Sequence, residues 1–342
     1  MGYLIGTDEA GYAPNLGPLV ISATVWSVPG DPPDVDLYKL LRKAVARAPA
    51  VRKSQSKIAV AAGRAGEERR APSRRQPSRL VLADSKVLYK PPGGLADLEL
   101  GVLAALSLAG ASPQSWREVW RHLDPDAAHT LDEQPWHVDF ERPLPLAADR
   151  PRVDRLAARL QAEAEQTGVR LLAVRSRAVF PDRWNDLTDQ HNKSTALSML
   201  TLELLSEVLT ALGDEPVAVI CDKHGGRNFY QPLLQRHVTE HLVEVYGEGP
   251  KESIYRWGPS SRRTEVVFRV NAERYLPCAL ASMASKYLRE LAMLAFNDYW
   301  RRHLPELRPT AGYPLDAGRF KSDIAATQQT LQISDRLLWR NR

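Results

Sequence analysis

Two short apolar blocks open the chain, YLIGTD and PLVISATVW, and the interval between them carries Gly11, Pro14 and Gly17. Blocks of this length bounded by turn formers predict two strands joined by a turn. KIAVAAG and RLVLADSK read as the next ordered pieces, followed by a helix over residues 95–108. In RPRVDRLAARLQAEAEQTG, residues Val153, Leu156, Leu160 and Ala164 fall on one face, which predicts an amphipathic helix. VRLLAVRSRAVF predicts a strand, and NKSTALSMLTLELLSEVLTALG an apolar helix closed by Gly213. EPVAVICDKHGG is a short apolar run, a strand that ends at Asp222 before a glycine-rich exit. Residues 110–150 show no clear period and are expected to be an irregular insertion. A polar, mixed stretch is expected over 229–270. LPCALASMASKYLRELAMLAFNDYWRRHL predicts one long helix. Strands alternating with helices imply a layered α/β domain, and no internal repeat is visible.

Composition changes the picture in one place. A chain of 342 residues can bury a full core. With 46 Lys+Arg against 41 Asp+Glu, overall charge selects no partner. Its distribution does more: residues 42–79 hold twelve Lys/Arg against two acids, Glu67 and Glu68. Such a block suits an acidic polymer such as nucleic acid, and a solvated loop has the same composition. Two cysteines, Cys221 and Cys278, make neither a disulfide framework nor a four-ligand zinc site. The N-terminal residues carry no leader signature and no long apolar run suggests a membrane span, so a cytoplasmic location is expected. No protein partner or oligomeric state is legible.

The candidate chemistry lies in the acids. Asp8 and Glu9 stand side by side at the end of the first strand, and Asp222 ends another. Adjacent carboxylates repel, and burying them is costly without a compensating positive group. Ligands of open α/β sheets gather at strand ends. Glu273, just before the small-residue helix, is a fourth acid of this kind. Carboxylates without a histidine cluster suit a hard cation, Mg²⁺ or Mn²⁺. Two such ions about 4 Å apart can stabilise both the attacking and the leaving oxygen of a phosphoryl transfer. The plainer reading of each acid taken alone is a turn former, a helix cap or a surface residue.

GTDEAGYAPNLGPLVISA resembles the opening of the type 2 ribonucleases H, the ribonuclease HII and HIII group. The resemblance continues in order through LADSKVL, NDLTDQHNKSTALSM, VICDKHGG, ALASMASKYLRE and AGYPLDAGRF, with insertions near 27–79, 110–150 and 228–265. It implies a ribonuclease H-like α/β fold: a mixed sheet flanked by helices, its first strands antiparallel. The catalytic domain would span 1–300, with a C-terminal extension over 301–342 packing on the substrate groove. It further implies metal-dependent endonucleolytic hydrolysis of the RNA strand of RNA–DNA hybrids by two ions, leaving 5′-phosphates. Asp8, Glu9, Asp222 and Glu273 would be the catalytic, metal-binding acids. Glu273 lies one residue short of the family spacing to Ser282, and Glu265 is the fallback. Gly11, Tyr12, Ala13, Lys86, Ser282, Lys286 and Tyr313 would contact the nucleic acid, Lys86 at a phosphate and Tyr313 at a sugar. The tripeptide Gly11-Tyr12-Ala13 departs from the family's Gly-Arg-Gly or Gly-x-Gly. An alanine at a position needing φ above zero would be strained, and a preference for runs of ribonucleotides over a single one is expected. Two alternatives stay open: a non-catalytic nucleic-acid-binding paralogue, and a metal nuclease with another nucleic-acid substrate.

Overall fold

The computed structural model describes residues 1–47, 78–89 and 94–341. The KIAVAAG strand and most of the basic block lie outside the described residues. In chain order the strands are β1 (Gly2–Ala10), β2 (Leu19–Val28), β3 (Val45–Ala46), β4 (Leu80–Val81), β5 (Arg170–Val179), β6 (Val217–Asp222), β7 (Glu244–Glu248), β8 (Glu252–Trp257) and β9 (Thr264–Arg269). The helices are α1 (Leu37–Leu40), α2 (Ser85–Leu88), α3 (Leu95–Leu108), α4 (Trp116–Leu123), α5 (Pro125–Thr130) and α6 (Arg150–Thr167). They continue as α7 (Pro181–Gln190), α8 (Lys193–Thr210), α9 (Gln231–His237), α10 (Leu276–His303), α11 (Pro314–Thr330) and α12 (Asp335–Leu338).

Seven strands form one sheet in the order β5-β2-β1-β6-β9-β8-β7. β1 pairs antiparallel with β2, and β2 with β5. β1 pairs parallel with β6, and β6 with β9. This is the mixed sheet with antiparallel first strands that the sequence implies. Helices cover both faces. Leu4 packs into a core with α3, α4, α6 and α10, and its neighbour Ile5 into one with α7, α8 and α9. Strand alternation thus splits adjacent residues between two cores, and every residue of β2 is buried. At Gly6 the start of α10 comes so close that a Cβ would lie 2.4 Å from the Cys278 amide. The absence of a side chain there lets α10 lie directly on β1. A third core, with Leu16, Phe296, Trp300, Phe320 and Ile324, holds α11 against the end of α10.

Several expectations change. Residues 110–150 are not wholly irregular, because α4 and α5 lie there. Trp116, Val119, Trp120 and Leu123 follow a helical period for just two turns, too short to stand out in the sequence. The stretch 229–270 holds α9 and strands β7 to β9, whose polar outer residues obscure the alternation. α8 ends at Thr210 with Ala211 as its cap, short of Gly213. Residue 300, the expected domain limit, lies inside α10. Among the described residues no helix is long and apolar enough to cross a membrane.

Candidate active site

The parallel register places two of the acids. Thr7 of β1 pairs with Cys221 of β6, so Asp8 and Asp222 come next in register at the C-terminal ends of adjacent central strands. Leu4 and Ala218 face the α10 core, and the two-residue period carries Asp8 and Asp222 to the same face. Past the end of β9, Asn271 takes a left-handed conformation (φ 58°) and turns the chain into a short 3₁₀ turn that presents Glu273. The Ala272 amide of that turn donates to Asp222 Oδ1 at 3.3 Å. Glu265, the fallback acid, pairs with Ala218 at the opposite end of β6 and forms an ion pair with Arg256 at 2.6 Å. The structure therefore gathers Glu273, and not Glu265, near the other acids.

A fifth acid, which the strand-end pattern does not single out, lies close by. Asp84 caps α2, accepting the Lys86 amide at 3.0 Å, and its charge bears on both Asp222 and Glu273. Asp84 lies in the LADSK segment directly before Ser85 and Lys86, where an aspartate reads as an ordinary helix cap. Ser282 joins this turn to α10: its hydroxyl lies 3.0 Å from Ser85 Oγ, and it is buried instead of lining an open groove. One turn on, Ser285 donates to the Asp8 carbonyl at 3.0 Å.

The electrostatics follow from burial and crowding. Burial, then the charges of Glu9 and Asp222, hold Asp8 well above the usual carboxylate range. Burial and the Asp222 charge push Glu9 up to about 7, with Lys86 opposing. Asp222 and Glu273 are also raised, by burial first. Lys86 is partly desolvated, which pulls its pKa down, but Asp84, Asp8, Glu273 and Asp222 together raise it. A cluster of acids facing one shared lysine holds excess negative charge. All the donors are carboxylate oxygens, which fits a hard divalent cation chemically. Among the described residues, however, no three His, Cys, Asp or Glu side chains are placed to hold one ion.

A cleft of about 450 Å³ opens beside Glu9, lined by Gly11, Tyr12, Ala13, Lys86, Lys286 and Tyr313. It brings six of the seven expected substrate-contacting residues together. Lys286 is paired with Glu290 and lies over the Tyr89 ring at 4.4 Å. Tyr313 is half-exposed at the rim. Gly11 is at φ +88°, and a Cβ there would lie 2.6 Å from the Pro18 carbonyl, so the position requires glycine. The strain expected at Ala13 is absent. Its φ is not positive, because the following Pro14 favours extended backbone, where alanine fits. That removes the backbone reason for expecting a preference for runs of ribonucleotides.

Sheet order and helical layers define a mixed α/β fold with helices on both faces of the sheet. Among the solved structures to which the chain is similar are type 2 ribonucleases H. One is ribonuclease HII of Archaeoglobus fulgidus in complex with PCNA, at 12% identity over 99% of this chain and 94% of that one, TM-score 0.42. Ribonuclease H2 of Pyrococcus horikoshii OT3 is 13% identical over 98% and 92%, TM-score 0.41. Bst-RNase HIII in complex with Mn²⁺ is 14% identical over 99% and 66%, TM-score 0.40. No family model matches the sequence, and no curated protein does.

Proposed function

We propose that the chain is a metal-dependent endonuclease that hydrolyses the RNA strand of RNA–DNA hybrids. One observation carries the reading: Asp8 and Asp222 meet in register at adjacent strand ends, with Glu273 beside them and little to neutralise them but Lys86. Asp8, Glu9, Asp222 and Glu273 would hold Mg²⁺ or Mn²⁺. When bound, such ions lower the pKa of an attacking water and neutralise charge on the scissile phosphate. Lys86 would hold a backbone phosphate at the mouth of the cleft, and Tyr313 would pack on a sugar. The open groups of the Gly11–Ala13 loop would contact the ribose, where the 2′-hydroxyl alone separates RNA from DNA. The same absence of a ready three-acid ligand group favours, as a second reading, a paralogue that binds nucleic acid without cutting it. A labelled RNA–DNA hybrid incubated with Mg²⁺ or Mn²⁺ separates the two. Cleavage abolished by chelator upholds the nuclease. Tight binding with no cleavage under either metal replaces it with the binding protein.

A further inference from the structure

Two arginines are buried beneath the loop that follows the acid pair. Every hydrogen bond that either guanidinium donates to a described residue goes to a main-chain carbonyl. Arg289 of α10 donates to Pro18 at 2.6 Å, Leu16 at 3.1 Å and Ala311 at 3.0 Å. Arg340 is 1% exposed and donates to Gly11 at 2.5 Å and to Pro14. Its guanidinium also lies 5.7 Å from the centre of the Trp184 ring. The segment carrying it is held in place: Arg340 N donates to Asn15 at 2.8 Å, Trp339 bridges to Leu16, and Asn185 clasps Trp339 and Asn341 at 2.8 and 2.7 Å.

A buried guanidinium without a carboxylate partner is an expensive way to fill space, and an apolar side chain of similar volume would stabilise the core better. What Arg340 does that an apolar residue cannot is fix the direction of two peptide groups. In a trans peptide the carbonyl and the following N–H point opposite ways. Holding the Gly11 carbonyl inward turns the Tyr12 N–H away from Arg340. That N–H makes no hydrogen bond among the described residues, and Gly11 and Tyr12 both line the cleft. At Pro14 the same logic directs the Asn15 N–H to Gly312, where it bonds at 2.8 Å.

We infer that Arg340 is a positioning residue of the cleft, which by taking the Gly11 and Pro14 carbonyls aims the Tyr12 amide at a backbone oxygen of the bound nucleic-acid strand. The inference rests on the nucleic-acid reading of the cleft. Its test uses the full chain carrying R340M, with affinity measured for an RNA–DNA hybrid and for an all-DNA duplex of the same sequence. R340M should weaken hybrid binding about tenfold, with kcat at saturating hybrid within twofold of wild type. Loss confined to the hybrid identifies the oxygen as a sugar hydroxyl, and equal loss on both duplexes identifies a phosphate. Unchanged affinity for both, or a fall in kcat alone, overturns the role. Should R340M not fold, N185A loosens the same segment without stranding a charge. A smaller loss in the same direction then upholds the inference, and wild-type affinity ends it. If the wild-type chain binds neither duplex, the nucleic-acid reading has failed on its own. Hydrogen exchange of the Asn15 and Leu16 amides, both bonded to Gly312, then decides whether Arg340 orders the loop. Exchange at least tenfold faster in R340M supports that role, and an unchanged rate refutes it.

Discussion

Buried acids in this protein are of two kinds. Glu99 accepts the amides of Leu146, Ala147 and Ala148 at 2.7–2.8 Å, and the Tyr287 hydroxyl. Glu163 takes the amides of Lys43 and Ala44, and Asp124 those of Ala127 and Ala178. These three tie irregular chain to regular elements. Asp8 receives the Glu9 amide beside it at 2.8 Å and the Ser282 hydroxyl, but burial and the charges of Glu9 and Asp222 outweigh both. At Asp8 the nearby charges are negative, so a positive partner would relieve the cost of burying it. Asp8→Asn and Asp222→Asn should each lower hybrid cleavage by at least about a hundredfold, with hybrid affinity kept or improved. Wild-type turnover in either purified variant removes these acids from the chemistry. At roughly a hundred times its Kd, Mg²⁺ or Mn²⁺ should stabilise the wild-type chain by about 2.7 kcal/mol in urea titrations and stabilise Asp8→Asn much less. Gly11→Ala should cost about 1–3 kcal/mol of stability, because it adds a Cβ at φ +88° against the Pro18 carbonyl; a urea midpoint equal to wild type would contradict this. At this scale the sequence shows acids at strand ends well, because strand ends can be read. It hides Arg289 and Arg340, whose carbonyl partners depend on loop geometry. The one trace of Arg289 is its spacing: it falls on the same helical face as the buried Ser285 and Met293.

Elements with a long, unbroken period were legible: β1, β2, α6, α8 and α10 lie where the apolar pattern put them. Short elements were not. α4 shows only two turns of period, yet it forms the wall of an aromatic cluster. His137 is wholly buried there, its ring 5.3 Å from Trp116 and 5.5 Å from Phe180, centre to centre. Burial lowers its pKa to about 3. The folded state therefore binds this proton less readily than the unfolded chain, whose histidine titrates near about 6.5. Stability contributed by neutral His137 is complete above that value and is lost as pH falls toward 3. His224, also lowered to about 3 by burial, acts in the same direction. Asp124, raised to about 6 by burial, acts in the opposite one, since acid relieves its charge. Comparing variants isolates the first. Between about pH 6.5 and pH 5, His137→Phe should lose roughly 2 kcal/mol less stability than wild type, at about 1.4 kcal/mol per pH unit. Parallel curves for the two proteins would show that His137 protonates freely in the folded state.

For the whole molecule, charge placement matters more than charge total. Residues 42–79 carry twelve of the 46 Lys+Arg, and most of them lie outside the described residues. If they meet nucleic-acid backbone, each phosphate neutralised adds roughly −0.9 to the slope of log affinity against log salt. Deleting residues 64–77 should flatten that slope and leave kcat at saturating hybrid nearly unchanged; an identical slope would make the block a bystander. The fold also sets an order of events. Asp8 and Glu9 sit on the β1–β2 hairpin, a local contact, whereas Asp222 and the α10 residues that seal the site come from far along the chain. Local contacts form early and distant ones late. While the hairpin stands alone, its two carboxylates remain hydrated and repel only weakly. Their mutual repulsion becomes severe when β6 pairs beside β1 and α10 docks across them, late in assembly. A divalent ion that relieves this repulsion therefore acts after the folding barrier. In stopped-flow experiments it should slow unfolding and leave the refolding rate almost untouched, so that a chelated protein is one that comes apart sooner, not one that folds more slowly.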